Sequence, residues 1–140
     1  MPTNEEFESI LSTEESWSLL EGSQFGRLAV SVANNPDIFP LNFLAHDGLL
    51  LIRTNPGTKL AELAVNATVA FETDCVTANE AWSVVVKGTA RILESQTEID
   101  AANELPLQPW TQSRKWTYVE ITPTSINGRR FALGAEPERY

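Results

Sequence analysis

The sequence predicts a mainly β domain, a small antiparallel barrel of six or seven strands with about three short helices at its margins. Several runs alternate apolar and polar residues with a period of two, which is typical of half-buried strands. Turn-forming residues separate these runs. One long run, from Trp82 to about Leu93, contains Gly88, which indicates a bulge or bend where a sheet curls into a barrel.

The N-terminal half is predicted to contain an arm, a helix and three strands. Residues 1–11 are expected to be loosely ordered, and Ser12 with Glu15 forms a capping box that begins a helix ending at Gly22. The predicted strands are 26–32, 38–45 and 49–54, with a turn at 34–37 and a tight hairpin at 47–48. Pro40 indicates that the second of these strands lies at an edge or bulge, because proline donates no ladder hydrogen bond.

The C-terminal half completes the sheet. The predicted elements are a short helix from residue 58, strands at 69–74, 82–93, 116–122 and 126–131, and a helix at 97–105. Residues 134–140 are expected to be loosely ordered. With no repeat or linker in its 140 residues, the chain is expected to form one domain, 1–140.

Composition excludes several functional classes. A net charge of −9 and a pI near 4.5 argue against a nucleic-acid groove or an anionic membrane as partner. The single cysteine, Cys75, excludes an internal disulfide, and the single histidine, His46, leaves no second imidazole for a zinc site, so no metal is predicted. The acidic N-terminus has no signal-peptide core, and we expect a cytoplasmic protein.

The segment that follows the third strand predicts an anion-binding site. Arg53 and Thr54 come at the end of a buried strand, and Thr58 and Lys59 begin a helix after a Pro-Gly turn in which Thr58 is expected to be the cap. Helix N-termini carry unpaired amides and a partial positive charge, and Arg and Lys bind phosphate. The same residues are equally typical of a solvated strand–helix turn, and this segment alone does not decide between the two interpretations.

The other candidate residues suggest no catalytic group. Glu72 and Asp74 share one face of a strand, but no second feature supports acid–base chemistry. His46 is expected to be a solvated turn residue. Cys75 is expected to be half-buried and not a nucleophile.

Six segments come in a familiar order: GRLAVSV, FPLNFLAHDG, LLLIRTNPGTKLAEL, VAFETD, WSVVVKGTARIL and INGRR. In that order and spacing the chain, from Ser12 to Phe131, resembles the pyridoxamine 5′-phosphate oxidase-like family, also called the FMN-binding split-barrel family, and its short single-domain bacterial branch in particular. The resemblance implies a six-stranded antiparallel split β-barrel that forms a homodimer, with FMN in clefts at the subunit interface.

The resemblance also implies roles for individual residues. Arg53, Thr54 and Lys59 match the positions that hold the flavin phosphate, at the anion site inferred above. The remaining matches lie along or near the flavin ring: Pro40, Leu41, Asn42, Phe43, Trp82 and Ser83. Asn42 could instead be satisfied locally, and Trp82 could instead belong to the core or the dimer interface. Trp110 and Trp116 are candidates for closing the cleft or the dimer seam.

The resulting prediction is an FMN-dependent oxidoreductase that acts on a small organic molecule. Longer family members supply an Arg and a His to the substrate phosphate from a C-terminal segment, whereas this chain has no histidine after His46. We therefore expect a substrate other than pyridoxamine 5′-phosphate. Two alternatives remain open: a deazaflavin-dependent reductase, for which Arg27, Lys87 and Arg91 could bind the cofactor's tail, and a flavin-binding module without turnover.

Overall fold

The computed structural model describes residues 8–107 and 117–134. Within these ranges the chain forms seven strands and three helices. The strands are β1 (Glu8–Leu11), β2 (Phe25–Val32), β3 (Asn35–His46), β4 (Leu49–Thr54), β5 (Thr68–Val76), β6 (Glu80–Ile92) and β7 (Thr117–Ala132). The helices are α1 (Thr13–Glu21), α2 (Thr58–Val65) and α3 (Gln96–Asn103). No helix in these ranges is both long and apolar enough to span a bilayer.

The strands form one antiparallel sheet in the order β1-β7-β4-β3-β2-β5-β6, and β6 also pairs with β7. This last pairing closes a six-stranded ring, which confirms the predicted barrel. The seventh strand, β1, lies in the segment expected to be a loose arm, so that expectation is wrong for Glu8–Leu11. This strand pairs with β7 from Phe131 to Gly128, whereas β4 pairs with the opposite end of β7.

The core fills the inside of the barrel. Alternate residues of the strands point inward, as the period of two predicts, and α1 and α2 add Leu20 and Leu63. Among the fully buried side chains are Leu28, Leu50, Ile52, Phe71, Val84, Val86, Val119 and Ile121. A second cluster, packed under α3, consists of Leu51, Leu93, Ala102, Leu107 and Tyr118. Ala102 is the buried residue that α3 contributes to this cluster.

Two hairpin turns have the backbone that tight antiparallel turns require. Asp47 and Gly48 have φ of 52° and 76°, which confirms the predicted hairpin between β3 and β4. The turn predicted at 34–37 lies one position earlier, at Ala33 and Asn34, with φ of 51° and 64°. Asn35 already pairs with Val32, because two residues with positive φ suffice to reverse the chain.

The end of the chain forms one long strand instead of the two predicted at 116–122 and 126–131. Strand β7 runs continuously from Thr117 to Ala132 beside β6, with a register shift between Lys87 and Gly88. The bulge predicted at Gly88 is thereby confirmed. Gly88 pairs with Pro123, the residue in β7 that can donate no backbone hydrogen bond. The irregularity beside this pair therefore accommodates the proline.

Candidate functional site

A cavity of about 340 Å³ opens where strands β3 and β4 part. The ladder between these strands runs from Phe43 to His46 and does not extend to residues 39–42 of β3. The edge position predicted from Pro40 is thereby confirmed. Ten described residues line the cavity: Phe39, Pro40, Leu41, Asn42, Arg53, Thr54, Asn55, Gly57, Thr58 and Lys59.

Helix α2 begins at the mouth of this cavity without a side-chain cap. Its N-cap is Gly57, not Thr58 as predicted, and no side chain of the described residues makes the capping hydrogen bond. The carbonyl of Gly57 already accepts from the amides of Leu60 and Ala61. Thr58 is therefore the first helical residue, and the amides of Thr58 and Lys59 precede the first of these hydrogen bonds and have no acceptor within the helix. Such an N-terminus favours an anion.

Lys59 is held at the cavity wall by two contacts. Its ammonium donates a hydrogen bond of 3.0 Å to Oγ1 of Thr54, and it lies 5.2 Å from the ring centroid of Phe39. Thr54 is itself buried. Burial lowers the pKa of Lys59, because the charged form loses hydration that these contacts replace only in part. Lys59 is thus a partly desolvated cation and not a freely solvated surface lysine.

Arg53 supplies the second positive charge. Its guanidinium carbon lies 5.9 Å from the ring centroid of Tyr118, the residue directly opposite on β7. Arg53 and Lys59 are the charged residues of the lining, which contains no carboxylate among the described residues. In a chain with a net charge of −9, a cavity with two cations and no acid is an anion-binding environment.

The strand β3 forms one wall of the cavity through Pro40, Leu41 and Asn42. The side chain of Phe43 points the other way, into the barrel, where its ring packs edge-on against Phe71 with a centroid distance of 4.6 Å. Of the predicted β3 residues, Phe43 alone is therefore absent from the lining.

Trp82 and Ser83 lie elsewhere on the barrel. They belong to β6, which is separated from β3 by β2 and β5. Trp82 is half-buried and packs against the main core, which agrees with the alternative left open for it, and Ser83 pairs with Asp74 and Arg129. Within one chain, neither residue lines the cavity. Trp110 and Trp116 fall outside the described residues.

Four residues at or beside the cavity were not predicted. Asn55 and Gly57 lie in the turn that was identified, and that turn was the signal for them. Phe39 alternates with Leu41 along β3, and this alternation does not reveal that β3 parts from β4 there. Tyr118 carries no local signal, since its contact with Arg53 depends on the register between β4 and β7.

Comparison with known proteins identifies the family. Residues 12–130 match the model of the family described as pyridoxamine 5′-phosphate oxidase. This protein belongs to that family.

Three relatives illustrate the similarity. A Corynebacterium glutamicum structure, described as a candidate pyridoxamine 5′-phosphate oxidase, is 38% identical with a TM-score of 0.83; the match covers 96% of this chain and 99% of that one. An FAD-binding protein from Mycobacterium smegmatis is 39% identical with a TM-score of 0.79, over 90% of this chain and all of the other. An uncharacterised Mycobacterium tuberculosis protein is 39% identical over 90 residues, 64% of this chain and 82% of that protein.

In this member of the family, an ion-pair cluster lies beside the cavity on the outer face of the barrel. One guanidinium nitrogen of Arg27 contacts Glu72 at 2.8 Å and Asp74 at 3.3 Å, which confirms that the two carboxylates share a face. Arg27 pairs across the sheet with Pro40 of the cavity wall. Burial, and then the hydrogen bond with Asp74, raise the pKa of Glu72 to about 7.

The remaining reactive residues of this family member, His46 and Cys75, do not line the cavity. His46 is half-exposed at the β3–β4 turn, 3.1 Å from Asp47, as predicted for a solvated residue. Cys75 is exposed and not half-buried as expected, because it lies near the end of β5 where the barrel wall no longer covers it. The described residues contain no group of three or more potential metal ligands.

Proposed function

We propose that this protein binds FMN in the cavity between β3, β4 and α2 and uses it as a flavin-dependent oxidoreductase. The observation that carries the proposal is the pairing of Arg53 and Lys59 at an uncapped helix N-terminus, in a cavity with no carboxylate among its described lining residues. Two cations and a turn of amides match a phosphate monoester. The family membership and the FAD-binding relative at 39% identity support a flavin.

Different residues of the chain would bind the phosphate and the ring system of FMN. Arg53, Thr54 and Lys59 would hold the phosphate, with the first amides of α2 from Thr58 onward. The segment of β3 from Pro40 to Asn42, which lies beyond the ladder with β4, would offer backbone groups to the polar edge of the ring system. The flavin supplies the hydride or electron transfer, and the protein contributes binding and orientation.

The residues expected near the flavin ring favour a homodimer. In the proposed dimer, Trp82 and Ser83 of β6 reach the cofactor from the second copy, since they lie away from the cavity of their own chain. Exposed apolar side chains near this end of the barrel, Ile10 at 76% and Val76 at 71% exposure, support a protein partner. Burying them would remove apolar surface from water on association.

FAD is the second candidate cofactor, because the Mycobacterium smegmatis relative is described as binding it. FAD contains the same ribityl phosphate as FMN, so the Arg53–Lys59 site would serve both. The deazaflavin alternative is less well supported. Arg27 and Arg91, which were candidates for its anionic tail, each contact two carboxylates of this chain.

The first experiment asks whether the protein binds a flavin and which one. Apoprotein is titrated with FMN, FAD and riboflavin while flavin fluorescence is followed, and the cofactor retained on purification is released and identified by mass. We expect saturable binding of FMN at one per chain, and a dimer by sedimentation. Absence of saturable binding for all three flavins would overturn the proposal.

A second experiment separates an enzyme from a flavin-binding module. The loaded protein is mixed with NADH or NADPH without oxygen, and the visible absorption of the oxidised flavin is recorded. Bleaching of that absorption, followed by its return when an organic acceptor is added, supports an oxidoreductase. A flavin that stays oxidised with both donors favours the module.

A further inference from the structure

Tyr118 forms a wall behind Arg53. The two residues lie directly opposite each other on β7 and β4, and the guanidinium carbon is 5.9 Å from the centre of the phenol ring. This distance is within the range of a cation–π contact. The ring is only 2% exposed, so it is a fixed surface and not a mobile side chain.

The ring is fixed at its far end as well. Its hydroxyl donates a hydrogen bond of 2.7 Å to Oδ1 of Asn103, the last residue of α3. A buried phenol needs such a partner, and this one ties the orientation of the ring to a helix that does not line the cavity. The apolar residues beneath α3, including Leu51 and Ala102, pack around the same ring.

The contact restricts the orientation of the guanidinium. An arginine cation is attracted to the electron-rich face of an aromatic ring, whereas the N–H groups that bind phosphate lie in the guanidinium plane. A guanidinium that lies against Tyr118 therefore loses less conformational freedom when a ligand binds. Lys59 is located differently, through Thr54.

We propose that Tyr118, oriented by Asn103, is a positioning residue that aims Arg53 at the ligand phosphate and thereby sets the preference for phosphorylated over unphosphorylated flavin. The inference rests on the proposed function. A Tyr118 that merely filled the core would affect the binding of every flavin equally, since its loss would disturb the whole cavity. A positioning role affects only ligands that carry the phosphate.

The test compares two ligands that differ by the phosphate alone. Dissociation constants for FMN and riboflavin are measured by flavin fluorescence for wild type, Tyr118→Leu, Tyr118→Phe and Asn103→Ala. We expect Tyr118→Leu to weaken FMN binding about fivefold to tenfold, the size of a partly desolvated cation–π contact, with riboflavin changed less than about twofold. The other two variants keep the ring, and should weaken FMN binding about twofold to threefold.

A fallback comparison and a second genetic background complete the test. If Tyr118→Leu does not fold, Tyr118→Phe and Asn103→Ala carry the comparison. In an Arg53→Met background, the Tyr118 variants should cause no further selective loss of FMN affinity. Equal losses for FMN and riboflavin, or an undiminished selective loss without Arg53, overturn the inference alone. A wild-type protein that binds neither flavin overturns the proposed function and the inference together.

Discussion

Replacing Lys59 with methionine tests the phosphate site most directly. The ammonium of Lys59 donates to Thr54 at 3.0 Å and would gain a charge-assisted hydrogen bond to a bound phosphate. Methionine keeps an unbranched stem of similar length that can still pack against Phe39, so the change removes the charge and largely spares the packing.

The expected loss follows from the bond that disappears. A hydrogen bond to a charged group contributes about 1.5–3 kcal/mol. Its loss should raise the dissociation constant for FMN roughly tenfold to a hundredfold. Riboflavin, which has no phosphate, should be bound with nearly unchanged affinity. The apoprotein should change in stability by less than about 1 kcal/mol, because the lost contact with Thr54 is offset by relief of the partly buried charge.

The assay is flavin fluorescence titration, paired with urea unfolding of the apoprotein. Lys87→Met is the matched control, since it removes the same charge from an exposed position on β6 that does not line the cavity. Its FMN affinity should stay within about twofold of wild type, the scale on which a single distant surface charge acts through solvent. Equal FMN affinities for Lys59→Met and Lys87→Met would refute the assignment of the phosphate to Lys59.

Three further predictions concern stability. Gly88→Ala should lower the free energy of unfolding by about 1–3 kcal/mol in urea, since the new Cβ would overlap the Thr122 carbonyl, while Gly134→Ala, in open space, should change nothing measurable. Because the pKa of Glu72 is raised, its carboxyl group stays protonated to a higher pH in the folded state than in the unfolded chain. Stability from this group, on the order of 1 kcal/mol after screening, is therefore lost as pH rises from about 4.3 to about 7, and Glu72→Gln should show a smaller decline over that window. Ser12→Ala should cost about 1 kcal/mol in the same urea assay, because it removes the cap of α1, and an unchanged midpoint would argue against the capping box.

Local patterns predicted most of the elements. The capping box at Ser12, the β3–β4 hairpin at Asp47 and Gly48, and the bulge at Gly88 all appear in the structure. Each depends on a few adjacent residues whose backbone or hydrogen bonding is locally constrained. One of the errors was also local in origin. Pro36 suggested a turn, yet it pairs with Ser31 within the strand, because the reversal had already occurred at Ala33 and Asn34.

Some residues of the candidate site could also be predicted from local sequence, and others depend on tertiary packing. The sequence alone determined that Arg53, Thr54 and Lys59 lie together, since a strand end, a short turn and a helix start hold them within a few residues. Local patterns could not determine that Pro40 and Asn42 form the facing wall, which only the family resemblance indicated, or that Tyr118 contacts Arg53. Those contacts arise from the register of β3, β4 and β7 and from the closure of the barrel, which distant parts of the chain set only when they pack together.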